Sequence, residues 1–235
     1  MVTSVSESLK QDTLRLFDIK EDKIKVVPNF IDYSKSESNP AEECKRHMMA
    51  TPNERILTHI SNFRPVKRID DVIKIFAKVV KEIPAKLIMV GNGPLQDDAR
   101  ALCKELDIED KVIFMGNSNE IDKILCFSDM FLLPSERESF GLAALEAMMH
   151  GVPVISSNSG GIPEVNEQGY SGYLSNVGDV DDMAKNAISV LKSDKELLKF
   201  KRNAKEQASK FDIDKIVPMY ENIYEELLLG VKMVN

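Results

Sequence analysis

The stretch from residue 130 to residue 149 reads MFLLPSERESFGLAALEAMM. Its first part, 130–133, is an apolar run of strand length, which indicates a buried strand. Residues 142–149 are rich in leucine, alanine and methionine and are closed by Gly151, so they indicate a buried helix. The polar residues between them, 135–141, therefore form a loop at the carboxyl end of a strand. In open α/β sheets, ligands bind at that edge.

The loop and the first helical turn have the features of a phosphate site with hydroxyl-binding groups on both sides. The amides that precede and begin the helix lack an intrahelical acceptor and can bind an anion. They belong to Ser139, Phe140, Gly141 and Leu142. Glu138 and Glu146 bracket these amides. Carboxylates repel phosphate but accept hydrogen bonds from sugar hydroxyls, so the arrangement indicates a nucleotide sugar. Taken singly, Glu138 as a solvated loop residue and Glu146 as a surface helix residue stay open as the alternative.

Apolar runs of strand length alternate with helical patterns along the chain. Strands are predicted at residues 24–28, 55–60, 85–90, 112–116, 130–133, 154–156 and 169–174, and helices at 69–80, 95–106, 120–127, 142–149, 179–191, 195–210 and 212–229. Strands that alternate with helices of about 10–15 residues indicate a parallel sheet covered by helices. The sequence therefore predicts an α/β protein with a Rossmann-like, doubly wound parallel sheet.

The first helix of the chain is predicted to begin at a capping box. Ser4 and Glu7 have the Ser-x-x-Glu spacing in which each side chain caps the backbone amide of the other residue. We expect this helix to run to about Phe17.

A second strand-to-helix loop carries three cations. Arg64, Lys67 and Arg68 follow the strand at 55–60 and precede an amphipathic helix. Like charges this close repel one another unless an anion neutralises them. The loop is therefore a second candidate for phosphate binding, and the residue types leave a solvated basic loop equally open.

Two further loops at the same sheet edge contain glycine. Gly91 and Gly93 follow the strand at 85–90, but the third glycine of a dinucleotide fingerprint is missing because Gln96 stands there. Gly116 and Asn117 follow the strand at 112–116. A turn that starts the following helix explains Gly91 and Gly93 without a ligand, so the residues alone leave their role open.

Composition excludes several classes of protein. The formal net charge of −7 over 235 residues argues against nucleic-acid binding, which usually requires a basic surface. Apolar runs stay shorter than the roughly 18 residues of a membrane-spanning helix, and the first residues do not resemble a signal peptide. We therefore expect a cytoplasmic protein. Cysteines and histidines without metal-type spacing lead us to expect reduced thiols and no metal or other cofactor.

The pattern Glu138-x7-Glu146, with Phe-Gly-Leu inside it on a strand, loop and helix, resembles the signature of retaining GT-B glycosyltransferases of glycosyltransferase family 4, also called group 1. The resemblance extends from about Val5 to Leu229. It implies that Glu138 lies by the donor sugar, that Glu146 contacts the ribose, and that the amides between them bind the diphosphate.

The resemblance also assigns roles to the other loops. The family binds donor phosphates with an arginine and a lysine, and Lys67 stands at the lysine position. Asn62 occupies the arginine position, so Arg64, two residues further on, is expected to act in its place. The turn that contains Gly91 and Gly93 is expected beside the donor, with Gly116 and Asn117 near the nucleotide base.

Members of this family have two such domains, with the active site in the cleft between them. The resemblance implies that residues 1–235 are the C-terminal, donor-binding half, and that helix 212–229 packs on an N-terminal domain outside this chain. We expect the chain alone to bind UDP without turnover.

The reaction implied is transfer of a sugar to an acceptor hydroxyl with retention at the anomeric carbon, catalysed with the help of Glu138, Lys67 and Arg64. Segments 61–68 and 134–142 resemble members that use UDP-N-acetylglucosamine as donor, and they favour L-malate as the small-molecule acceptor. Two alternatives stay open. One is a noncatalytic nucleotide-sugar binding module, and the other is a glycoside hydrolase that uses Glu138 and Glu146 as its carboxylate pair.

Overall fold

The structure is a computed structural model that describes residues 1–33 and 46–232, with no side chains described for 230–232. Residues 29–40, which the sequence predicts to be a loop because they are polar and contain serine, asparagine and proline, lie partly outside the described residues, and Cys44 lies outside them entirely. Within the described ranges, no helix is both long and apolar enough to cross a bilayer.

Among the described residues, eight strands form two parallel sheets. They are β1 (Val2–Ser4), β2 (Ile24–Val26), β3 (Arg55–Ile60), β4 (Ala85–Val90), β5 (Val112–Gly116), β6 (Met130–Leu133), β7 (Val154–Ser157) and β8 (Gly172–Ser175). Strands β1 and β2 pair with each other, and the other six form the main sheet in the order β5-β4-β3-β6-β7-β8. The order reverses between β3 and β6, which is the arrangement of a doubly wound sheet, so the predicted fold class is confirmed. Ligand crevices open at such a reversal, beyond the carboxyl ends of the two strands.

The helices cover both faces of the main sheet. They are α1 (Glu7–Leu16), α2 (Arg46–Met49), α3 (Ile69–Val79), α4 (Gln96–Glu105), α5 (Ile121–Cys126), α6 (Leu142–Met149), α7 (Ile162–Val165), α8 (Val180–Leu191), α9 (Asp194–Ala208) and α10 (Ile213–Lys232). On β6, Leu132 packs against α3 and α8, whereas Phe131 and Leu133 pack against α6 on the other face. Alternate side chains of a strand point to opposite faces, which explains why β6 is apolar throughout.

The predicted start of the first helix is wrong. Ser4 belongs to β1, which pairs with β2, and the helix begins two residues later. Ser6 is the N-cap residue, and its Oγ accepts a hydrogen bond from the Leu9 amide at 3.0 Å. The pairing of β1 with β2 therefore overrides the local capping pattern that begins at Ser4.

The last helix, α10, has buried apolar residues in its first part and exposed apolar residues further along. Ile216 and Ile223 are buried against Val27. Leu227 and Leu228, further along the helix, are 44% and 65% exposed. The expectation that this helix packs on another domain stays a prediction, and these exposed leucines are the side chains that such a contact would cover.

A buried carboxylate joins three elements at the amino end of β6. Asp129 accepts hydrogen bonds from Arg46 at 2.8 Å, Lys201 at 2.9 Å and the Ile56 amide at 3.0 Å. Burial alone would raise the pKa of Asp129, but Lys201, the Ile56 amide and Arg46 outweigh burial and hold it below its usual value. The network anchors α2, β3 and α9 at the sheet edge opposite the reversal crevice.

We predict that Asp129→Ala destabilises the chain by about 2–3 kcal/mol, because it leaves two cations and a buried amide without their partner. Chemical denaturation measures this loss. Asp194→Ala is the matched control, since Asp194 also pairs with an arginine, Arg55, but is 83% exposed. The control should cost about 0.5 kcal/mol or less. Equal losses for the two variants would contradict a structural role for the network.

Candidate functional site

The loops after β3 and β6 meet at the point where the strand order reverses. Lys67 Nζ lies 2.6 Å from Glu138 Oε1, and the Ser135 hydroxyl donates to the same oxygen at 2.9 Å. The side chains of Lys67 and Glu138 are 22% and 15% exposed, so water screens this ion pair less than a surface pair. The structure thus brings together two of the three predicted catalytic side chains.

Backbone contacts fix the Glu138 loop from both sides. The Glu136 amide donates to the Val66 carbonyl oxygen at 2.8 Å, and the Gly161 amide donates to the Glu138 carbonyl oxygen at 2.9 Å. A Cβ on Gly160 would lie 2.0 Å from that same Glu138 oxygen, so only glycine allows this approach. The loop is therefore held in place by the chain itself.

The basic loop does not depend on a bound anion for neutralisation, contrary to the argument from charge repulsion. Lys67 pairs with Glu138, and Arg68 pairs with Asp71, whose side chain is buried. Arg64 is exposed, and no ion pair joins it to any other described residue. Arg64 is thus the cation of this loop that a ligand can reach without breaking an existing pair.

The predicted anion-binding amides are oriented by a left-handed turn. Gly141 is the N-cap residue of α6. Its φ of +99° is a backbone conformation that favours glycine. The amides in question have no hydrogen-bond acceptor among residues 1–33 and 46–232. They are those of Ser139, Phe140, Gly141 and Leu142. Such amides at a helix N-terminus are a ready site for an anion.

Neighbouring contacts hold this turn in place. Phe140 is buried, and its ring packs edge to face on Phe211 with 5.5 Å between the ring centroids. The Ser6 hydroxyl donates to the Ser139 carbonyl oxygen at 2.6 Å. Leu142, the first residue of α6, is 42% exposed and faces away from the core. The segment therefore presents backbone amides while its aromatic side chain anchors it.

Glu146, in the second turn of α6, is a half-buried carboxylate. It accepts no hydrogen bond and forms no ion pair within the part of the chain that the structure describes. Burial raises the pKa of Glu146, and the nearby charge of Asp122 adds to this effect. A partly desolvated carboxylate without a partner is suited to accept hydrogen bonds from ligand hydroxyls.

Gly91 and Gly93 are required by packing between two loops of the chain. A Cβ on Gly91 would lie 1.8 Å from the Ser61 carbonyl oxygen, and one on Gly93 would lie 2.1 Å from that of Asn62. No side chain fits at these distances, so the turn after β4 rests directly on the backbone that follows β3. The turn supports the basic loop, and its contact with a donor stays a prediction.

The residues predicted near the base lie on the same sheet edge. Gly116 ends β5 with φ of +68°, and its carbonyl oxygen accepts from the Gly91 amide at 2.8 Å. The side chains of Asn117 and Asn62 are exposed. Their roles in base and phosphate binding stay predictions.

Sequence reasoning missed His59, a fully buried histidine near the carboxyl end of β3. Burial lowers the pKa of His59 to about 4, a hydrogen bond to the Leu132 carbonyl oxygen opposes this, and the charge of Lys67 adds to the lowering. One feature of the sequence could have pointed to His59, because it is a polar residue in a largely apolar strand directly before the basic loop. Metal-type spacing of histidines does not reveal a single buried histidine of this kind.

The described residues contain no group of three or more histidine, cysteine, aspartate or glutamate side chains that could hold a metal ion.

Residues 42–207 match the family model for glycosyl transferases group 1. This match covers most of the chain and includes both loops of the site. The chain belongs to the glycosyl transferases group 1 family.

Two curated relatives illustrate the range of similarity. N-acetyl-alpha-D-glucosaminyl L-malate synthase of Bacillus anthracis is 44% identical over 229 residues, which are 97% of this chain and 60% of the relative. An uncharacterized glycosyltransferase of Methanocaldococcus jannaschii is 33% identical over 170 residues, 70% of this chain and 44% of the relative. The chain thus spans three-fifths or less of these two proteins.

Solved structures show the same fold. Anabaena HepE in complex with UDP and glucose matches with a TM-score of 0.86 at 24% identity, over 97% of this chain and 62% of that one. A variant of TarM from S. aureus, in complex with fondaparinux, alpha-GlcNAc-glycerol and UDP, matches with a TM-score of 0.82 at 25% identity. That match covers 95% of this chain and 43% of the TarM chain.

We predict that His59 makes the stability of the fold fall as the pH drops below 6.5. Its folded pKa of about 4 lies below the ordinary 6.5, so between these values the unfolded chain binds a proton that the folded chain does not. This difference corresponds to about 3 kcal/mol across that pH range. His59→Phe should reduce the pH dependence of the free energy of unfolding by about this amount.

Urea denaturation at a series of pH values measures this effect. Thr58→Val is the control, because it removes a buried hydrogen bond from the same strand without removing a titratable group. The control should keep the wild-type pH dependence. An unchanged pH profile in His59→Phe would contradict the neutral, buried state of His59.

Proposed function

We propose that this chain is the donor-binding part of a retaining glycosyltransferase and that it binds a UDP-sugar, with UDP-N-acetylglucosamine as the favoured donor. One observation carries the proposal. The amides at the start of α6, which have no acceptor among the described residues, lie between the Lys67–Glu138 pair and Glu146, whose carboxylate has no partner among those residues either. Similarity to the malate synthase of Bacillus anthracis supports the choice of sugar.

The diphosphate is assigned to the amides of residues 139–142 together with Lys67. A helix N-terminus and an ammonium group both attract phosphate oxygens, and neither needs a large movement of the chain. In the transferase reaction the leaving diphosphate gains negative charge as its bond to the anomeric carbon breaks. Lys67 and the amides stabilise that charge, and the exposed Arg64 adds to the positive field around it.

The two glutamates are assigned to the ends of the donor. Glu146 accepts hydrogen bonds from the ribose hydroxyls, which replaces the partner that its half-buried carboxylate otherwise lacks. Glu138 lies on the other side of the amides and accepts from hydroxyls of the transferred sugar. When Lys67 turns to the diphosphate, the Glu138 oxygen that it occupied becomes available to the sugar.

The acceptor is assigned to residues outside these 235. The chain spans 60% of the malate synthase of Bacillus anthracis. On this proposal the acceptor, L-malate or another small molecule with a free hydroxyl, binds a second domain across the cleft, and the present chain binds donor without transferring sugar. We further propose a cytoplasmic location, which the free, buried thiol of Cys103 supports.

A thermal-shift screen of the chain against UDP, GDP, ADP and their sugars tests the proposed function. UDP at about 100 times its dissociation constant should add roughly 2.7 kcal/mol of stability, and the other nucleotides should add less. Failure of every nucleotide to stabilise the chain would overturn the proposal. Cleavage of glycosides in the absence of any nucleotide would instead indicate a hydrolase.

Lys67→Ala should weaken UDP binding by about 1.5–3 kcal/mol, the range for a charge-assisted hydrogen bond, and uridine binding much less. Isothermal titration calorimetry measures the dissociation constant of UDP, and ligand-observed NMR measures that of uridine. Arg68→Ala is the matched control, because it removes the same charge from the same loop at a residue that pairs with Asp71. Equal losses for UDP and uridine would remove Lys67 from the phosphate site.

Glu146→Gln should have opposite effects on the free chain and on UDP binding. The pKa of Glu146 is raised in the folded chain, so its charged form costs stability above the ordinary glutamate pKa, and the neutral glutamine should raise the melting temperature. The same variant should lose about 1–3 kcal/mol of UDP affinity, because glutamine offers one acceptor oxygen to two ribose hydroxyls.

The analogue 2′,3′-dideoxy-UDP separates hydroxyl binding from charge. It lacks both hydroxyls, so it should bind the wild-type chain weakly and should gain affinity from Glu146→Gln, which removes a negative charge near the diphosphate. A variant that loses equal affinity for UDP and for the analogue would show that Glu146 does not bind the ribose.

A further inference from the structure

The imidazole of His59 has a fixed proton position. Its Nδ1 lies 2.8 Å from the Leu132 carbonyl oxygen, and its Nε2 lies 2.7 Å from Ser61 Oγ. A carbonyl oxygen can only accept, so Nδ1 carries the hydrogen and donates it. The buried ring is neutral, and its Nε2 therefore accepts a hydrogen bond from the Ser61 hydroxyl.

This ring connects the two central strands at the crevice. The pairing of β3 with β6 joins Leu57 to Met130 and Thr58 to Phe131. One residue further toward the carboxyl ends, the His59 side chain reaches Leu132. The imidazole therefore links the strands at the level where the main sheet gives way to the site loops.

Through its Nε2 the ring contacts the turn that begins the basic loop. Ser61 Oγ donates to His59 and also accepts from the Phe63 amide at 3.4 Å. Phe63 has φ of +35°, which is unfavourable for a residue with a large side chain. Its ring is fully buried, and its carbonyl oxygen accepts from the Leu95 amide at 3.2 Å. The surrounding contacts thus stabilise a strained turn.

The strained turn sets the position of Lys67. A short 3-10 helix, Pro65–Lys67, starts two residues after Phe63, and the Val66 carbonyl oxygen accepts from the Glu136 amide. The direction of the chain at Phe63 therefore determines where the Lys67 ammonium lies relative to the Glu138 loop. The Ser61 hydroxyl hydrogen is already donated to His59, so Ser61 cannot donate it to a phosphate oxygen.

We propose that His59 is a positioning residue of the donor site. Through Leu132 it holds the strand that leads to Glu138, and through Ser61 it holds the turn that leads to Lys67. Its neutral ring thereby sets the spacing between the phosphate-binding cation and the sugar-binding carboxylate. This inference rests on the proposed function, in which Lys67 binds the diphosphate of the donor.

The test compares UDP with uridine, because a loss of stability alone would weaken both ligands equally. His59→Phe keeps a buried ring but removes both hydrogen bonds, and it should raise the dissociation constant for UDP about tenfold while that for uridine changes less than about twofold. Thr58→Val is the control, since its hydroxyl makes a buried 2.6 Å hydrogen bond to Ser128 one residue away on the same strand. The control should leave the ratio of the two constants unchanged.

Ser61→Ala removes the same link from the other side with a smaller change in volume, so the test does not depend on the folding of His59→Phe. A double-mutant cycle with Lys67→Ala completes the design. In the Lys67→Ala background, the effect of Ser61→Ala or His59→Phe on UDP should fall below about twofold, because the two residues act through Lys67.

Two outcomes would overturn the inference. Equal losses for UDP and uridine in folded variants, or an undiminished effect in the Lys67→Ala background, would refute the positioning role and leave the proposed function standing. A wild-type chain that binds no UDP would refute the proposed function and this inference with it.

Discussion

The ion pair between Lys67 and Glu138 is the interaction on which the rest of the site depends. It joins a loop after β3 to a loop after β6 where the strand order reverses, and it adds a side-chain link to the backbone hydrogen bond from Glu136 to Val66. Because both side chains are mostly shielded from water, the attraction is stronger than that of a surface pair. In the proposed function Lys67 and Glu138 each have a second partner in the donor. Their ion pair therefore keeps the two ligand-binding side chains in position until the donor binds.

The surrounding structure keeps the side chains of Lys67 and Glu138 in position. Glycines 91, 93, 160 and 161 let the neighbouring turns approach the two loops at distances that no Cβ allows. His59 adds a side-chain link between the strands. Glu146 differs from these residues, since burial raises its pKa and no described residue compensates the cost. Unmet interactions of this kind are expected where a ligand completes the site.

The sequence predicts the sheet well and the contacts between loops poorly, for a physical reason. Strands β3, β4, β5 and β6 have the predicted bounds, because each is a largely apolar run bounded by polar residues, proline or glycine. Lys67 and Glu138 are 71 residues apart, so no local pattern shows that they pair. His59 looks like a core residue until Leu132 and Ser61 are seen beside it. The false helix start at Ser4 has the same origin, since pairing with β2 determines its conformation.

A crystal structure of the chain with UDP tests the central claim most directly. The account predicts that the diphosphate lies against the amides of residues 139–142, that Lys67 Nζ moves from Glu138 to a phosphate oxygen, and that both ribose hydroxyls donate to the Glu146 carboxylate. UDP bound away from the end of α6, or bound there with the Lys67–Glu138 pair intact and Glu146 without a ribose contact, would contradict the account.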